Sequence, residues 1–207
     1  MFTEIKGRWI AVLADAFERL AIVFMYAPFA WAFATRVLTH PSWALIAISE
    51  TLVVILILIR KPGDMALGIY PFAIGFAGTA LPLFVRPFDG GVLVPAIIST
   101  TLMTAGLGLN VAAKLFLNRS FGVVAANRGV KRGGPYRLVR HPMYLGYIAT
   151  QFGFLLSCFS IQNLLLYVAA WTLQVLRIIE EERFLTRDPA YRAYRETVRY
   201  RLIPGLI

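Results

Sequence analysis

The residues best suited to chemistry lie in two polar segments, each directly beside a long apolar run. Residues 133–146 form the first segment, which reads Gly-Gly-Pro-Tyr-Arg-Leu-Val-Arg-His-Pro-Met-Tyr-Leu-Gly and holds one of the two histidines, His141. The second segment holds the acidic pair Glu181 and Glu182. Carboxylates in a partly dry setting can hold a cationic or amino-bearing ligand, and Arg140 can bind a carboxylate or phosphate. His141 can donate or accept a hydrogen bond near neutral pH. Together they predict a site for a polar ligand.

Other residues of the first segment fit the same site. Its glycines let backbone approach a ligand closely, and Tyr136 and Tyr144 offer aromatic faces and hydroxyls. The arginines also have a simpler interpretation: they could set the orientation of the chain in the membrane and contact lipid head groups. His141 could likewise serve only to cap the helix that follows it. The residue types alone therefore indicate a membrane enzyme or a binding site for a polar ligand.

The composition is that of an integral membrane protein. Of the 207 residues, 58% are hydrophobic and 15% are charged, and the mean hydropathy is +0.67. In such a chain a net charge of +10 reflects membrane topology, so we expect no nucleic-acid partner. The single cysteine, Cys158, excludes an intramolecular disulfide and a cysteine-based zinc site, and no metal is expected.

Six apolar runs indicate about six transmembrane helices. They cover residues 9–34, 43–59, 65–84, 92–117, 143–158 and 161–179, the fifth being short for a span. We therefore predict an all-α integral membrane protein with a single domain over residues 1–207. Residues 1–117 would form a four-span part, and residues 118–207 the catalytic loop, a helical hairpin and a cytosolic tail. The cytosol-facing site would be formed by the last two spans, the preceding loop and the tail.

The distribution of basic residues predicts the orientation. With six spans and both termini in the cytoplasm, 18 of the 21 lysines and arginines lie on the cytoplasmic side or at its boundary, as the positive-inside rule requires. This arrangement places the two polar segments on the same face, so they can form one site. We expect the inner (plasma) membrane of a bacterium as the location. The oligomeric state stays open.

Charged residues inside the apolar runs have two interpretations. Asp15, Glu18 and Arg19 lie in the first run, and Glu50 lies in the second. Intramembrane charges are unfavourable unless they are paired or face a polar interior. Asp15 and Arg19, four residues apart, could form a self-satisfied pair or the floor of a pocket, or the span could begin only after Arg19. Glu50 could be functional or a structural hydrogen-bonding group.

One longer pattern joins the two polar segments. Gly-Pro-Tyr-Arg-x-x-Arg-His-Pro-x-Tyr-x-Gly runs from Gly134 to Gly146, and Glu181-Glu182-x-x-Leu185 and Tyr191-x-x-Tyr194 follow. The pattern strongly resembles that of the isoprenylcysteine carboxyl methyltransferase family, and related membrane phospholipid methyltransferases share parts of it. The resemblance covers about the last 90 residues, from Ser120 to Pro204.

The resemblance implies an S-adenosylmethionine-dependent integral membrane methyltransferase. Catalytic roles would fall to Arg140, His141 and Glu182. The cofactor would be bound by the matching motif residues, namely Pro135, Tyr136, Arg140, His141, Tyr144, Gly146, Glu181 and Glu182. The helix carrying Tyr191 and Tyr194 would act as a structural lid.

The methyl acceptor is expected to be lipophilic and to enter from the bilayer. It could be a carboxylate, a thiol or a lipid amine, since the first half of the chain has no segment assignable to prenyl recognition. Arg128, Arg199 and Arg201 are candidates to bind an anionic acceptor head group, although they could equally contact membrane lipids.

Three other functions compete with methyl transfer. The intramembrane charges would also suit a small transporter, and the basic segments would suit a lipid-binding or anion-binding protein without catalysis. A haem-bearing electron carrier would need histidine pairs within the spans. The only two histidines, His40 and His141, fall on opposite faces of the six-span arrangement.

Overall fold

The computed structural model describes residues 2–59, 64–65, 69–88, 91–117, 126–127 and 129–205. Over these residues the protein is almost entirely helical, and the prediction of an all-α protein is confirmed. The α-helices are α1 (Phe2–Ala34), α2 (Ala44–Ile59), α3 (Ile69–Ala80), α4 (Ala96–Leu117), α5 (Pro142–Ser157), α6 (Ile161–Leu185) and α7 (Pro189–Thr197). Short 3-10 helices cover Pro41–Trp43, Leu81–Phe84 and Gly134–Arg137. Two-residue strands β1 (Asp64–Met65) and β2 (Ala126–Asn127) pair antiparallel.

Within the described ranges, four helices are long and apolar enough to cross a membrane. They are Asp15–Ala34, Pro41–Ile59, Ala96–Leu117 and Ile161–Leu185. The other two predicted spans are shorter than the roughly 20 residues of a full crossing. The third comprises α3, with 12 residues, and the 3-10 turn that follows it, and the fifth is α5, with 16 residues. The structure thus supports four spanning helices of the six that were expected.

Local sequence sets the ends of the helices that carry the site. Pro142 is the first residue of α5, where its missing N–H is tolerated, and His141 precedes it in a non-helical conformation. The Ser160 hydroxyl caps α6 by accepting a hydrogen bond from the backbone N–H of Asn163 at 3.1 Å. The sixth apolar run ends at residue 179, and α6 continues beyond it to Leu185. Its last turns therefore carry the acidic pair.

Glycines allow α4 and α5 to pack against each other at very short range. A Cβ added at Gly106 would lie 2.5 Å from the backbone nitrogen of Thr150, and one added at Gly146 would lie 2.7 Å from that of Asn110. The Asn110 amide also donates to the Met143 carbonyl at 3.0 Å. Gly106 therefore serves this helix contact, whereas a Cβ at Gly108 would meet nothing within 4 Å.

The charged pair in α1 is satisfied locally. Arg19 Nε donates to Asp15 Oδ2 at 2.7 Å, and Arg19 Nη1 donates to the Leu58 carbonyl at 2.5 Å near the end of α2. Of the two interpretations of this pair, the self-satisfied one agrees with the geometry. The side chain of Glu18 lies outside the described residues.

The buried core forms two hydrophobic clusters. One is built around Phe29, Trp43 and Phe154. The other contains Ile178 together with the tyrosines of the polar segments. Many large apolar side chains, such as Phe24 and Leu165, are instead exposed along the helices, as expected of surfaces that face lipid.

Candidate functional site

A cavity lies where the Gly-Pro-Tyr segment, the end of α6 and α7 meet. We call it the motif cavity, and its space of about 510 Å³ includes a part that is open to solvent. Four parts of the chain form its wall: the end of α4, residues 129–141, the last turns of α6, and α7. The lining residues are Leu117, Gly129, Val130, Lys131, Tyr136, Arg140, His141, Glu181, Leu185, Tyr191 and Tyr194.

The loop that forms one wall is shaped by its glycine and proline residues. Gly134 has a φ of +55°, which L side chains rarely adopt, and a Cβ there would collide with the ring of Phe116. Pro135 lies in the first turn of the 3-10 helix Gly134–Arg137, where its fixed φ is compatible. This turn places the buried side chain of Tyr136 in the cavity wall.

Glu182 is the centre of an ion-pair network beneath the motif cavity. Its Oε1 accepts from Arg140 Nε at 2.7 Å and lies 3.2 Å from His141 Nε2. Its Oε2 accepts from Arg201 Nε at 2.9 Å. Glu182 is only 4% exposed and is not among the residues that line the cavity. Its geometry indicates that it positions Arg140 and His141.

The same network attaches the chain after α7 to the motif. Arg140 Nη1 donates to the carbonyls of Val198 at 2.8 Å and Arg199 at 2.7 Å. The backbone N–H of Arg140 donates to the Tyr200 carbonyl at 2.9 Å. The backbone N–H of His141 donates to the Arg201 carbonyl at 2.8 Å. The segment that follows α7 is therefore held against the residues that begin α5.

Of the described residues that line the motif cavity, Glu181 is the one that is acidic. Its Oε2 accepts a hydrogen bond from the Tyr144 hydroxyl at 3.1 Å. Glu181 and Glu182 thus have different environments, although they are neighbours in sequence. Glu181 presents a carboxylate at the cavity wall, where it can bind a cation, an amine or a hydroxyl.

The tyrosines of α7 complete the wall. The Tyr194 hydroxyl donates to the Tyr136 carbonyl at 2.7 Å, which ties α7 to the 3-10 turn. Burial raises the pKa of Tyr194 to about 12, and it also raises the pKa of Tyr136 and Tyr191 well above the usual value for tyrosine. All three phenols are therefore neutral at physiological pH. The Tyr194 hydroxyl donates a hydrogen bond, whereas the buried Tyr191 hydroxyl has no partner among the described residues.

Several predicted cofactor contacts lie in or near the cavity. Tyr136, Arg140, His141 and Glu181 line it. Tyr144 contacts it through Glu181, and Pro135 lies in the adjoining turn.

Other predicted site residues lie elsewhere. Gly146 packs against α4 at Asn110, so its lack of a side chain serves the helix contact. Arg201 pairs with Glu182, and the exposed Arg199 contributes its carbonyl to Arg140. Arg128, the third candidate for acceptor binding, lies outside the described residues.

A second group of polar residues lies among the helices. Only one of them, Glu50, was identified from the sequence. Glu50 is 4% exposed, and its Oε1 accepts from Gln151 Nε2 at 3.4 Å. Gln174 and Arg177 of α6 line the same space. The signal was the presence of glutamine and arginine inside apolar runs, where polar side chains often mark function.

Comparison with known proteins supports a membrane methyltransferase. Residues 93–192, just under half of the chain, match the sequence model of the phospholipid methyltransferase family. The matched region contains α4, the Gly-Pro-Tyr segment, α5 and α6. It supports the broader group of membrane methyltransferases, and it leaves the resemblance to isoprenylcysteine carboxyl methyltransferases unconfirmed. Together with the apolar helices, the match also supports the prediction of an integral membrane protein. No curated protein matches the chain.

Proposed function

We propose that this protein transfers a methyl group from S-adenosylmethionine to a lipophilic acceptor at the membrane surface. The observation that carries the proposal is the motif cavity. Apart from Tyr194, its lining residues belong to the segment that matches phospholipid methyltransferases, and it lies at one end of the apolar helices. Phospholipid methyltransferases act on lipids, which favours a lipid-like acceptor.

The residues present suit this cofactor. S-adenosylmethionine carries an ammonium, a carboxylate, ribose hydroxyls, an aromatic base and a sulfonium. Glu181 can accept from the ammonium or a hydroxyl, and Arg140 and Lys131 provide positive charge for the carboxylate. The rings of Tyr191 and Tyr194 offer faces for the base or the sulfonium.

The chemistry requires positioning more than covalent participation by the protein. The bound cofactor would supply an electrophilic methyl group. An in-line displacement depends on holding the acceptor atom in alignment and on excluding water. Arg140, fixed by Glu182 and two carbonyls, is a rigid binding group. His141, at the cavity wall, is placed to accept a proton if the acceptor is an amine or a thiol.

We further propose that the motif cavity faces the cytosol and that both termini lie on that side. The basic residues around the motif support this orientation, since they concentrate at the end of the helices that carries the cavity. The shorter helices α3 and α5 would then traverse the bundle while packed against longer neighbours. The close glycine contact between α4 and α5 supports such packing.

Calorimetric binding tests this function directly. The detergent-purified protein is titrated with S-adenosylmethionine and with S-adenosylhomocysteine. We expect both to bind and Glu181→Gln to weaken the affinity by about tenfold or more, because a charge-assisted hydrogen bond is lost. The matched control is Glu180→Gln, since Glu180 pairs with the exposed Arg183 at 2.6 Å and should leave binding unchanged.

Two results would contradict the proposal in different ways. Failure of the folded wild-type protein to bind either compound, with lipid present, would exclude the methyltransferase function. It would favour the transporter or the non-catalytic lipid-binding protein. Binding that is equally tight in Glu181→Gln would instead show that the cofactor is held elsewhere.

A further inference from the structure

An exposed surface that mixes arginines with apolar side chains lies beside the motif cavity. Two stretches of chain form it, residues 137–141 and 199–203, and the backbone N–H of Arg140 joins them by donating to the Tyr200 carbonyl at 2.9 Å. We call it the arginine surface and define it by the exposed side chains of the two stretches. They are Arg137, Leu138, Arg199, Tyr200 and Ile203.

The apolar members of the arginine surface are unusually open for their type. Leu138 is 69% exposed, and Tyr200 and Ile203 are 41% and 42% exposed. Tyrosine is enriched where a membrane meets water, and apolar side chains beside arginines are typical of surfaces that lie at the boundary between head groups and acyl chains. The composition of the arginine surface therefore suits contact with a lipid leaflet.

The end of α4 places this surface at the level of the lipid head groups. The spanning helix α4 ends at Leu117. The ring of Phe116, 48% exposed, lies against the loop of the motif, since a Cβ added at Gly133 would be 3.1 Å from it. The 3-10 turn Gly134–Arg137 follows directly, and the arginine surface begins where this turn ends. The surface thus lies close to the point at which a membrane-spanning helix leaves the hydrocarbon.

Positive charge is only partly compensated here. Residues 129–141 and 198–205 hold six lysines and arginines and no acidic residue. Glu182 of α6 pairs with Arg140 and Arg201, whereas Arg137 and Arg199 have no ion-pair partner among the described residues. Closure of the chain after α7 onto the motif therefore brings like charges together, which is unfavourable unless anions offset them.

We propose that anionic lipids dock on the arginine surface and thereby hold the chain after α7 against the motif. Lipid phosphates pair with Arg137 and Arg199, and the apolar members of the surface enter the boundary with the acyl chains. The lipid favours the closed arrangement, because only that arrangement presents both arginines to the same group of lipids. This docking does not depend on the proposed methyltransferase function, whereas its effect on the site does.

Lipid nanodiscs of two compositions test the docking. One contains phosphatidylcholine alone, and the other contains phosphatidylcholine mixed with phosphatidylglycerol, which is anionic and has no amine, thiol or carboxylate to accept a methyl group. Hydrogen exchange of the Arg140 and His141 amides reports closure, since both donate to carbonyls of the chain after α7. Each arginine near an anionic surface contributes about a fivefold preference, so phosphatidylglycerol should slow exchange by about tenfold or more. Equal exchange in the two compositions would overturn the proposal.

Matched double variants locate the effect. Arg137→Gln/Arg199→Gln removes the two unpaired charges and should abolish most of the difference between the two lipid compositions. Arg187→Gln/Arg195→Gln removes the same charge from exposed arginines outside the arginine surface and should retain the difference. A difference that survives in the first variant, or one that is lost equally in both, would refute this surface as the place where the lipid acts.

Two further measurements separate the possible sources of the effect. Inorganic phosphate added to nanodiscs of phosphatidylcholine should leave exchange unchanged, and slowing as large as that by phosphatidylglycerol would show a site for free anions instead of a lipid surface. If the wild-type protein binds S-adenosylhomocysteine but phosphatidylglycerol does not slow exchange, the docking is wrong and the function stands. If phosphatidylglycerol slows exchange but S-adenosylhomocysteine does not bind, the function is wrong and the docking stands.

Discussion

Replacing Glu182 by glutamine should release the chain after α7 from the motif. The substitution keeps the shape of the side chain but removes its charge and replaces one accepting oxygen with an NH₂ group. That group must then face Arg140 or Arg201, both of which are donors. Arg140, 7% exposed, would remain charged and buried without its carboxylate partner.

The size of the effect follows from burial. Removing one partner of a buried ion pair destabilises a protein by about 3–5 kcal/mol, because an uncompensated charge remains inside. The Arg140–Glu182 pair is buried on both sides, with side chains 5% exposed. The contact with Arg201, whose side chain is 40% exposed, should add less than about 1 kcal/mol. Free energies of this size increase local opening by about 100-fold to several thousand-fold.

Hydrogen exchange of two backbone amides measures this opening. The N–H groups of Arg140 and His141 donate to carbonyls of the chain after α7, so their exchange reports its release. We expect both to exchange much faster in Glu182→Gln, whereas Glu180→Gln, which removes an ion pair with an exposed arginine, should leave them unchanged. If both amides stay as protected as in the wild type, Glu182 does not hold this segment.

The remaining predictions concern helix packing and orientation. Gly106→Ala should destabilise the protein by about 1–3 kcal/mol in denaturant unfolding, because its Cβ would lie 2.5 Å from the Thr150 nitrogen. The matched control Gly108→Ala, with open space around it, should be neutral or slightly stabilising. A reporter fused at either end of the chain should report the cytoplasm, and an external signal from either would contradict the proposed orientation.

The sequence was informative where the signal was local. The order of Pro135, Tyr136, Arg140 and His141 predicted a polar site at the start of α5, and these residues do lie in or beside the motif cavity. Long apolar runs predicted the helices, since hydrocarbon thickness sets a length that can be read from composition. The acidic pair was also identified, but the different environments of its two members were not.

Features that depend on distant contacts could not be predicted in the same way. The pairing of Glu182 with Arg201 requires the chain to turn back after α7, and no local pattern specifies that turn. The second group of polar residues brings together Glu50, Gln151 and Gln174 from three helices, and the rotation of each helix about its axis sets which side chains meet. Gly146 packs against Asn110 of α4. This contact could not be read from the sequence, so Gly146 was predicted to contact the cofactor.

The position of α7 has a consequence for the order in which the protein is made. Synthesis proceeds from the N-terminus, so every helix long enough to cross a membrane leaves the ribosome before α7 does. Until then the motif cavity lacks the wall formed by Tyr191 and Tyr194, and Arg140 lacks the carbonyls that hold it. The site can therefore close only after α7 and the residues up to 200 have been made and have folded back onto the motif.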